Sequence, residues 1–214
     1  MRRSRDTFIQ YTKRPIVFSS HSDCALQLLY GGRHTCQGGS VEPRSGCPIN
    51  AAVEVLGDRW SMLVLRDVIF GDRRYFRALL TGSIEGIASN ILADRLVRLV
   101  EAGILTRGTA ARGQRARYSL TESGIQTLPI IHALGNWGLD WRPGGDALRS
   151  RQQFMRDAGP AFLEELMDEL RVRHLGAPPK PRHGPGPFER LNAAYAAERE
   201  RLGCEGVAGP SADR

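Results

Sequence analysis

Hydrophobic positions recur with a helical period from about residue 47 onward. The first predicted helix covers 48–56 and begins with proline, whose missing N–H costs nothing at a first helical position. Its apolar face consists of Ile49, Ala52, Val53 and Leu56. Asp58 is the expected N-cap of a second, largely buried helix that ends near Gly71, and a short third helix is expected over 74–80.

A fourth predicted helix has one apolar face and one mainly polar face. It begins at Ser89, the expected N-cap, and stops before Gly103, because glycine commonly ends helices. The stripe that faces the core consists of Leu92, Leu96, Leu99 and Val100. The opposite face consists of Asn90, Ala93, Asp94, Val97, Arg98 and Glu101. This second face is available to solvent or to a partner.

A short and strongly basic hairpin follows this helix. Between Gly103 and Thr121 the chain has no acidic residue, and it carries four arginines. These are Arg107, Arg112, Arg115 and Arg117. In the second strand, apolar residues at 116, 118 and 120 alternate with polar or basic ones, so one face is apolar and the other basic. A polar helix face beside a basic hairpin is the arrangement with which a winged helix-turn-helix domain contacts DNA.

The remainder of the chain is predicted to be helical. Thr121 is expected to cap a further helix that runs to Trp141, and a short charged helix is expected over 188–202. The predicted fold is mostly α with a small β-hairpin wing: a winged helix-turn-helix domain with a C-terminal helical extension. We divide the chain into 1–46, a disordered basic extension; 47–142, the DNA-binding and dimerisation domain; 143–175, a helical extension; and 176–214, a Pro/Gly linker and the short charged helix, largely flexible.

The net charge of +7 is distributed unevenly over the 214 residues. Residues 1–46 contribute +4 and residues 47–142 contribute +3, whereas residues 143–214 are neutral. A basic surplus in the first two parts favours a polyanionic partner such as double-stranded DNA. Nearly all basic residues are arginines, which suit bidentate contacts to phosphate and guanine.

Motifs that carry catalysis do not occur in the sequence. We find no GxSxG, no phosphate-binding glycine loop and no HExxH, so we do not expect an enzyme. The histidines and cysteines at 21, 24, 34 and 36 match no common zinc spacing, and neither a metal nor another cofactor is expected. The basic N-terminus lacks the apolar run of a signal peptide, and no stretch is long enough to span a membrane. We therefore expect a cytoplasmic, nucleoid-associated protein with no membrane partner.

Several segments within residues 47–141 occur in an order and spacing that point to one family. They are CPINAAVEVLGDRWSMLVLRDVIFGDRRYF, EGIASNILADRLVRLVEAGIL, RARYSLTESG and LPIIHALGNWG. Together they resemble the HxlR-type winged helix-turn-helix transcriptional regulators. The resemblance implies a homodimer that binds a roughly two-fold symmetric operator near promoters, and repression is the family's commoner activity. By position, the helix after Ser89 corresponds to the recognition helix, the 107–117 hairpin to the wing, and helices 48–56 and 121–137 to the dimerisation elements.

The outward face of the recognition helix supplies the predicted base and phosphate contacts. The candidate residues are Ser89, Asn90, Ala93, Asp94 and Arg98. Asparagine can bridge adenine, arginine can bridge guanine, and serine can reach phosphate. An acid that faces DNA is unusual, so Asp94 is expected to orient Arg98 four residues later. The four hairpin arginines are predicted phosphate contacts, because they repel one another unless a polyanion neutralises them. The alternative for both sets is a solvated surface.

Cys47 lies directly before the first predicted helix. The positive end of a helix dipole favours a thiolate there, and some HxlR-type relatives use a cysteine at this position to sense electrophiles or oxidants. A redox sensor is therefore one interpretation of Cys47, and a small-molecule or oxidant effector is a candidate partner. The other interpretation is a small apolar side chain that fills space at a helix start.

Two hypotheses from different functional classes follow. The leading one is a sequence-specific DNA-binding transcriptional regulator that acts as a homodimeric repressor and responds to redox state or an effector through Cys47. The alternative is a protein-interaction module whose winged helix does not read DNA. Arginines in both the recognition helix and the wing favour the first hypothesis.

Overall fold

The computed structural model describes residues 45–109 and 115–203. The predicted N-terminal extension, up to residue 44, lies outside the described residues, and so does Arg112. The elements within these ranges are α1 (Pro48–Leu56), α2 (Arg59–Gly71), α3 (Phe76–Gly82), α4 (Ser89–Glu101), β1 (Leu105–Arg107), β2 (Tyr118–Leu120), α5 (Glu122–Ile125), α6 (Leu128–Trp141), α7 (Asp146–Ala158), α8 (Pro160–Leu175) and α9 (Pro187–Arg201). The predicted fold class, mostly helical with one small antiparallel hairpin, is confirmed. None of these helices is both long and apolar enough to cross a membrane.

The predicted N-cap of α2 is confirmed. The Asp58 carboxylate accepts hydrogen bonds from the backbone N–H groups of Trp60 (2.9 Å) and Ser61 (3.2 Å), which have no partner within the helix. The hydroxyl of Ser61 also donates to this carboxylate. Because Val64 and Val68 bury the inner face of α2, the cap fixes the start of a helix that runs through the core.

The prediction that Ser89 caps α4 is wrong. Ala88 occupies the N-cap position in an extended conformation (φ −72°, ψ 146°), without a side-chain hydrogen bond, and Ser89 is the first helical residue. The predicted end of the helix is confirmed. Gly103 adopts φ +69°, which glycine tolerates without strain, and the N–H of Ile104 donates to the carbonyl of Leu99 at 2.9 Å.

Helix α3 begins two residues later than predicted, because Tyr75 is extended (φ −124°, ψ 146°) and both Arg74 and Tyr75 pair with the hairpin. The N–H of Tyr118 donates to the Arg74 carbonyl at 2.8 Å, and Tyr75 forms an antiparallel bridge with Arg117. A residue with extended dihedral angles cannot also belong to a helix. The register of the hairpin itself is Leu105 with Leu120, Thr106 with Ser119, and Arg107 with Tyr118.

The single helix predicted after Thr121 is two helices, α5 and α6. The cap itself is confirmed, since the Thr121 hydroxyl accepts a hydrogen bond from the Gly124 N–H at 3.1 Å. Pro129 lies in the first turn of α6 and has no N–H to donate to the carbonyl of Ile125. A continuous helix is therefore interrupted at Gln126 and Thr127.

One hydrophobic core in the described residues joins the helices, the hairpin and the C-terminal region. Its fully buried members include Leu65, Leu92, Leu96, Leu120, Leu166 and Leu170. The last two lie on α8, so the C-terminal helices share the core of the helix-turn-helix. The domain boundaries that composition suggests at 142 and 175 stay a prediction.

Candidate DNA-binding surface

Helix α4 presents a free face to solvent beside the hairpin. Ser89, Asn90, Ala93, Asp94 and Arg98 are all exposed, as predicted from the period of the buried leucines. Among the described residues, no hydrogen-bond partner contacts the side chain of Asn90. Its amide is therefore free to donate to and accept from an external partner.

The turn before α4 is held by an ion-pair network that the sequence does not predict. Arg66 on α2 donates to both carboxylate oxygens of Glu85 (2.5 and 2.8 Å) and to Asp67 (2.8 and 3.0 Å). Hydrogen bonds from Arg66 lower the pKa of Glu85 below its ordinary value. Gly86 follows with φ +69°, which allows the sharp turn into α4. The network joins residues 19 positions apart, so no local pattern could reveal it.

The arginines of α4 are paired with acids. Arg98 Nε lies 3.0 Å from Asp94 Oδ2, in the i,i+4 pair that the sequence predicts. Arg95 Nε lies 3.2 Å from Asp58 Oδ1, which links α4 to the N-cap of α2. Burial acts to raise the pKa of Asp58, but hydrogen bonds from Ser61 and Trp60 and the charge of Arg95 outweigh it, so the pKa is lowered. Asp58 is therefore ionised at neutral pH.

The wing arginines differ in having no acidic partner. Arg107, Arg115 and Arg117 are exposed, and within 45–109 and 115–203 none of them forms an ion pair. In the second strand, the buried Tyr118 and Leu120 alternate with the exposed Arg117 and the half-buried Ser119, as predicted. Arg77 on α3 is likewise exposed and without an ion-pair partner among the described residues. Its position in the first helix of the helix-turn-helix makes it a further candidate contact, which a lone arginine in the sequence does not reveal.

The buried side chain of Arg74 forms hydrogen bonds with β2, the second strand of the wing. The Arg74 side chain is 4% exposed and donates to the carbonyl of Tyr118 (3.1 Å), the hydroxyl of Ser119 and the carbonyl of Arg173 (2.9 Å). Burial, followed by the charge of Arg117, lowers its pKa. These bonds connect residues 44 to 99 positions apart, and no sequence pattern predicts a role for Arg74.

Two apolar helix faces are exposed to solvent. On α1, Ile49 is 73% and Val53 57% exposed. On α6 the exposed face consists of Ile130, Leu134, Trp137 and Trp141. The opposite side of α6 is polar and contacts α7, where Gln152 donates to Asn136 at 2.8 Å. Burying the apolar faces requires a partner surface.

Cys47 is exposed and occupies the N-cap position of α1. It is the sole cysteine of the described ranges, since the other three cysteines lie outside them. The same ranges contain no group of three metal-ligating side chains.

The described elements include a short helix, an ion-paired turn and a second helix with a solvent-exposed face, and a basic hairpin follows. This order of elements defines a winged helix-turn-helix domain. The family model described as HxlR-like helix-turn-helix matches residues 55–146. An uncharacterized HTH-type transcriptional regulator of Mycobacterium bovis is 31% identical over 141 residues, which are 64% of this chain and 87% of that protein. Another such regulator, of Synechocystis sp., is 35% identical over 96 residues, covering 44% of this chain and 70% of its own.

Among solved structures, the transcriptional regulator YodB from B. subtilis is 27% identical and covers 48% of this chain and 100% of its own, with a TM-score of 0.39. The family match and the two HTH-type regulators of M. bovis and Synechocystis sp. agree with the domain defined by the structure. This chain belongs to the HxlR-like helix-turn-helix family and is a transcriptional regulator of that type.

Proposed function

We propose that this protein is a homodimeric repressor that reads its operator with α4 and holds the flanking phosphates with the wing. The observation that carries the proposal is the contrast between the two surfaces. Asn90 and the Asp94–Arg98 pair project from the solvent face of α4, whereas the wing arginines carry unneutralised charge. Oriented polar groups suit base edges in the major groove, and free positive charges suit phosphates.

The recognition contacts are assigned to individual side chains. Asn90 bridges adenine, Arg98 bridges guanine while Asp94 orients it, Ala93 contacts a thymine methyl group, and Ser89 reaches phosphate. In the wing, the arginines at 107, 112, 115 and 117 contact the backbone, and Arg77 adds a contact from α3. Since phosphate contacts carry no sequence information, the operator sequence is set by α4.

The exposed apolar faces of α1 and α6 support a homodimer. Two copies joined through these faces would present two α4 helices to one side of the duplex, about 34–36 Å apart, or one helical turn. The double variant Leu134→Glu/Trp137→Glu should therefore be monomeric by light scattering and lose specific DNA binding. Leu175→Glu, at an exposed apolar residue at the end of α8, is the matched control and should leave a dimer. A wild-type monomer that bound DNA normally would contradict the dimer.

Cys47 is proposed as the site through which an oxidant or electrophile acts. The support is its exposure and its position on α1, next to the apolar face that includes Ile49. Modification there would disturb the dimer and so the spacing of the two α4 helices. A quinone or hypochlorite should weaken DNA binding by wild type but not by Cys47→Ser. Equal responses of both proteins would remove Cys47 as the sensor.

The experiment that tests the proposed function is selection of duplexes from a random library by the wild-type protein. Enrichment of a two-fold symmetric site is expected, and a reporter carrying that site should become more active when the protein is absent. The Asn90→Ala/Arg98→Ala variant is the control and should enrich no such site. Absence of DNA binding even at low salt would instead favour a protein-interaction module.

A further inference from the structure

The outer edge of the wing sheet is closed by residues from outside the hairpin. One edge of β2 pairs with β1, and the other edge exposes the backbone groups of Tyr118 and Leu120. The N–H of Tyr118 donates to the Arg74 carbonyl at 2.8 Å, and the Tyr118 carbonyl accepts from Arg74 Nε at 3.1 Å. The N–H of Leu120 donates to Nδ1 of His174 at 3.0 Å. These three backbone groups of the outer edge are therefore satisfied without a third strand.

His174 reaches β2 from the last turn of α8. The adjacent Arg173 carbonyl accepts from Arg74 at 2.9 Å, so Arg173 is linked to β2 through Arg74, whereas His174 contacts β2 directly. Nearby, Arg171 pairs with Glu122 at 2.7 Å. The apolar face of α8 is buried in the same core as β2. All of α8 lies beyond residue 146, where the family match ends.

A hairpin of this size needs external support. Its strands are three residues each, and an isolated two-stranded hairpin is at best marginally stable in water. Arg115 and Arg117 lie three residues and one residue before Tyr118, where β2 begins, so the direction of this strand sets where both guanidinium groups lie. Small displacements of these groups would change how many phosphates they reach.

We propose that α8 braces the wing, with His174 and Arg74 as positioning residues that hold β2 so that Arg115 and Arg117 face the DNA backbone. This role rests on the proposed function. It assigns the C-terminal extension a part in DNA affinity, although no residue of α8 needs to touch DNA.

The test compares two substitutions of His174 in the full chain. His174→Leu removes the hydrogen-bond acceptor, whereas His174→Asn retains an acceptor close to the position of Nδ1. Two quantities are measured: hydrogen exchange at the Leu120 amide, and the salt dependence of binding to a short random-sequence duplex. His174→Leu should raise the exchange rate about fivefold or more, because the amide no longer has a hydrogen-bond acceptor. Its log–log salt slope should fall by about 0.9 for each phosphate that the wing no longer reaches, and His174→Asn should stay near wild type in both.

The control is Glu165→Gln, which breaks the ion pair with Arg190 between α8 and α9 without touching β2. It should change neither the exchange rate nor the salt slope. A His174→Leu slope equal to that of wild type would overturn the brace. Equal losses of affinity in both His174 variants, in proportion to their thermal stability, would also overturn it, because the role would then be purely structural.

A second variant keeps the proposal testable if His174→Leu does not fold. Arg74→Lys retains the charge, but its single nitrogen cannot occupy the separate positions from which Nε, Nη1 and Nη2 reach Tyr118, Arg173 and Ser119, so it should show the same two changes. A wild-type protein that bound no duplex would refute the proposed function. Exchange at Leu120 in the two His174 variants would then decide by itself whether α8 holds the wing strand.

Discussion

Helix α4, the proposed recognition helix, and the wing both carry arginines, but the surroundings of these arginines differ between the two regions. In α4, Arg95 lies against Asp58, and Arg98 lies against Asp94. In the wing, the three described arginines have no acidic partner among the described residues. A paired guanidinium has a fixed direction, which base reading requires, whereas an unpaired one retains its full charge for phosphates. In the proposed function, ion pairing, more than the number of arginines, therefore separates the residues that read bases from those that contact phosphates.

The Asp94–Arg98 pair contributes little to stability. Its side chains are 49% and 64% exposed, and exposed i,i+4 pairs stabilise a helix by only about 0.3–0.5 kcal/mol. In the proposed function, the role of the pair is therefore to orient Arg98. By contrast, the Arg66–Glu85 contact is bidentate and holds the turn into α4, so it belongs to the frame that positions the helix.

The largest expected effect comes from removing charge at the wing. Arg115→Ala/Arg117→Ala should weaken binding to every duplex by about 3 kcal/mol at low salt, at about 1.5 kcal/mol for each charged contact. The salt slope should fall by about 1.8, because two phosphates are no longer neutralised. Titrations of a random duplex at several salt concentrations measure both. The control Lys180→Ala/Arg182→Ala removes the same charge from the exposed linker, and an equal loss of affinity there would deny the wing a special role.

A smaller and more selective effect is expected at Asp94. Asp94→Ala should cost about 1–2 kcal/mol on the selected operator, because Arg98 loses its orientation toward guanine. On random duplexes it should bind slightly more tightly, since an acid near the phosphates is gone. Glu101→Ala is the matched control, because it removes an acid from the same face that has no arginine partner among the described residues. Identical behaviour of the two variants would show that Asp94 does not orient Arg98.

The next smaller effect is expected at Asp58, which caps α2 and pairs with Arg95 of α4. Asp58→Ala should lower the free energy of unfolding by about 1 kcal/mol through loss of the α2 cap, as measured by urea denaturation. It should also weaken operator binding, because Arg95 loses its partner. Thr121→Ala removes a comparable cap beside the wing and should lower stability without relaxing operator choice. Relaxed operator choice in Thr121→Ala would contradict the assignment of sequence recognition to α4 alone.

The last prediction is a pH dependence of stability from two half-buried histidines, His132 on α6 and His174 on α8. Burial, with the charges of Arg74, Arg117 and Arg173, lowers the pKa of His174 to about 3, and burial with Arg156 lowers the pKa of His132. The unfolded chain protonates these histidines near pH 6.5, whereas the folded chain does so only at lower pH. The neutral histidines therefore contribute fully to the free energy of unfolding above pH 6.5, and this contribution declines below that pH. Thermal midpoints should therefore decrease as the pH is lowered from 6.5 to 5.

His174→Asn should flatten this decline, because it removes the more strongly shifted of the two groups. The window lies above the range in which carboxylates such as Glu85 and Asp58, whose pKa values are lowered, become protonated. An unchanged slope in His174→Asn would mean that other groups cause the pH dependence.

Local patterns in the sequence predict much of this fold. Helix periodicity predicts α1, α2 and the end of α4, and the Asp58 cap is recognisable because its partners lie two and three residues away. The error at Ser89 has a local cause as well, since Ala88 takes the cap position without a side-chain bond. The surface residues of α4 follow from the same period that buries Leu92 and Leu96.

Contacts between distant residues account for what the sequence does not predict. Arg74 is one of many arginines in the chain, and only the fold brings it to Tyr118 and Arg173. The same holds for Arg66 and Glu85, 19 positions apart. No periodicity records such pairs, so the supports of the turn and of the wing become visible only in three dimensions.

The proposed assignment of base contacts to α4 and of phosphate contacts to the wing is tested most directly by the specificity ratio. This ratio is the affinity for the selected operator divided by the affinity for a scrambled duplex. Asn90→Ala should lower this ratio about tenfold, because a bidentate base contact is worth about 1–3 kcal/mol. Arg115→Ala/Arg117→Ala should leave the ratio unchanged while weakening both affinities. A ratio that collapsed in the wing variant but survived in Asn90→Ala would contradict this assignment.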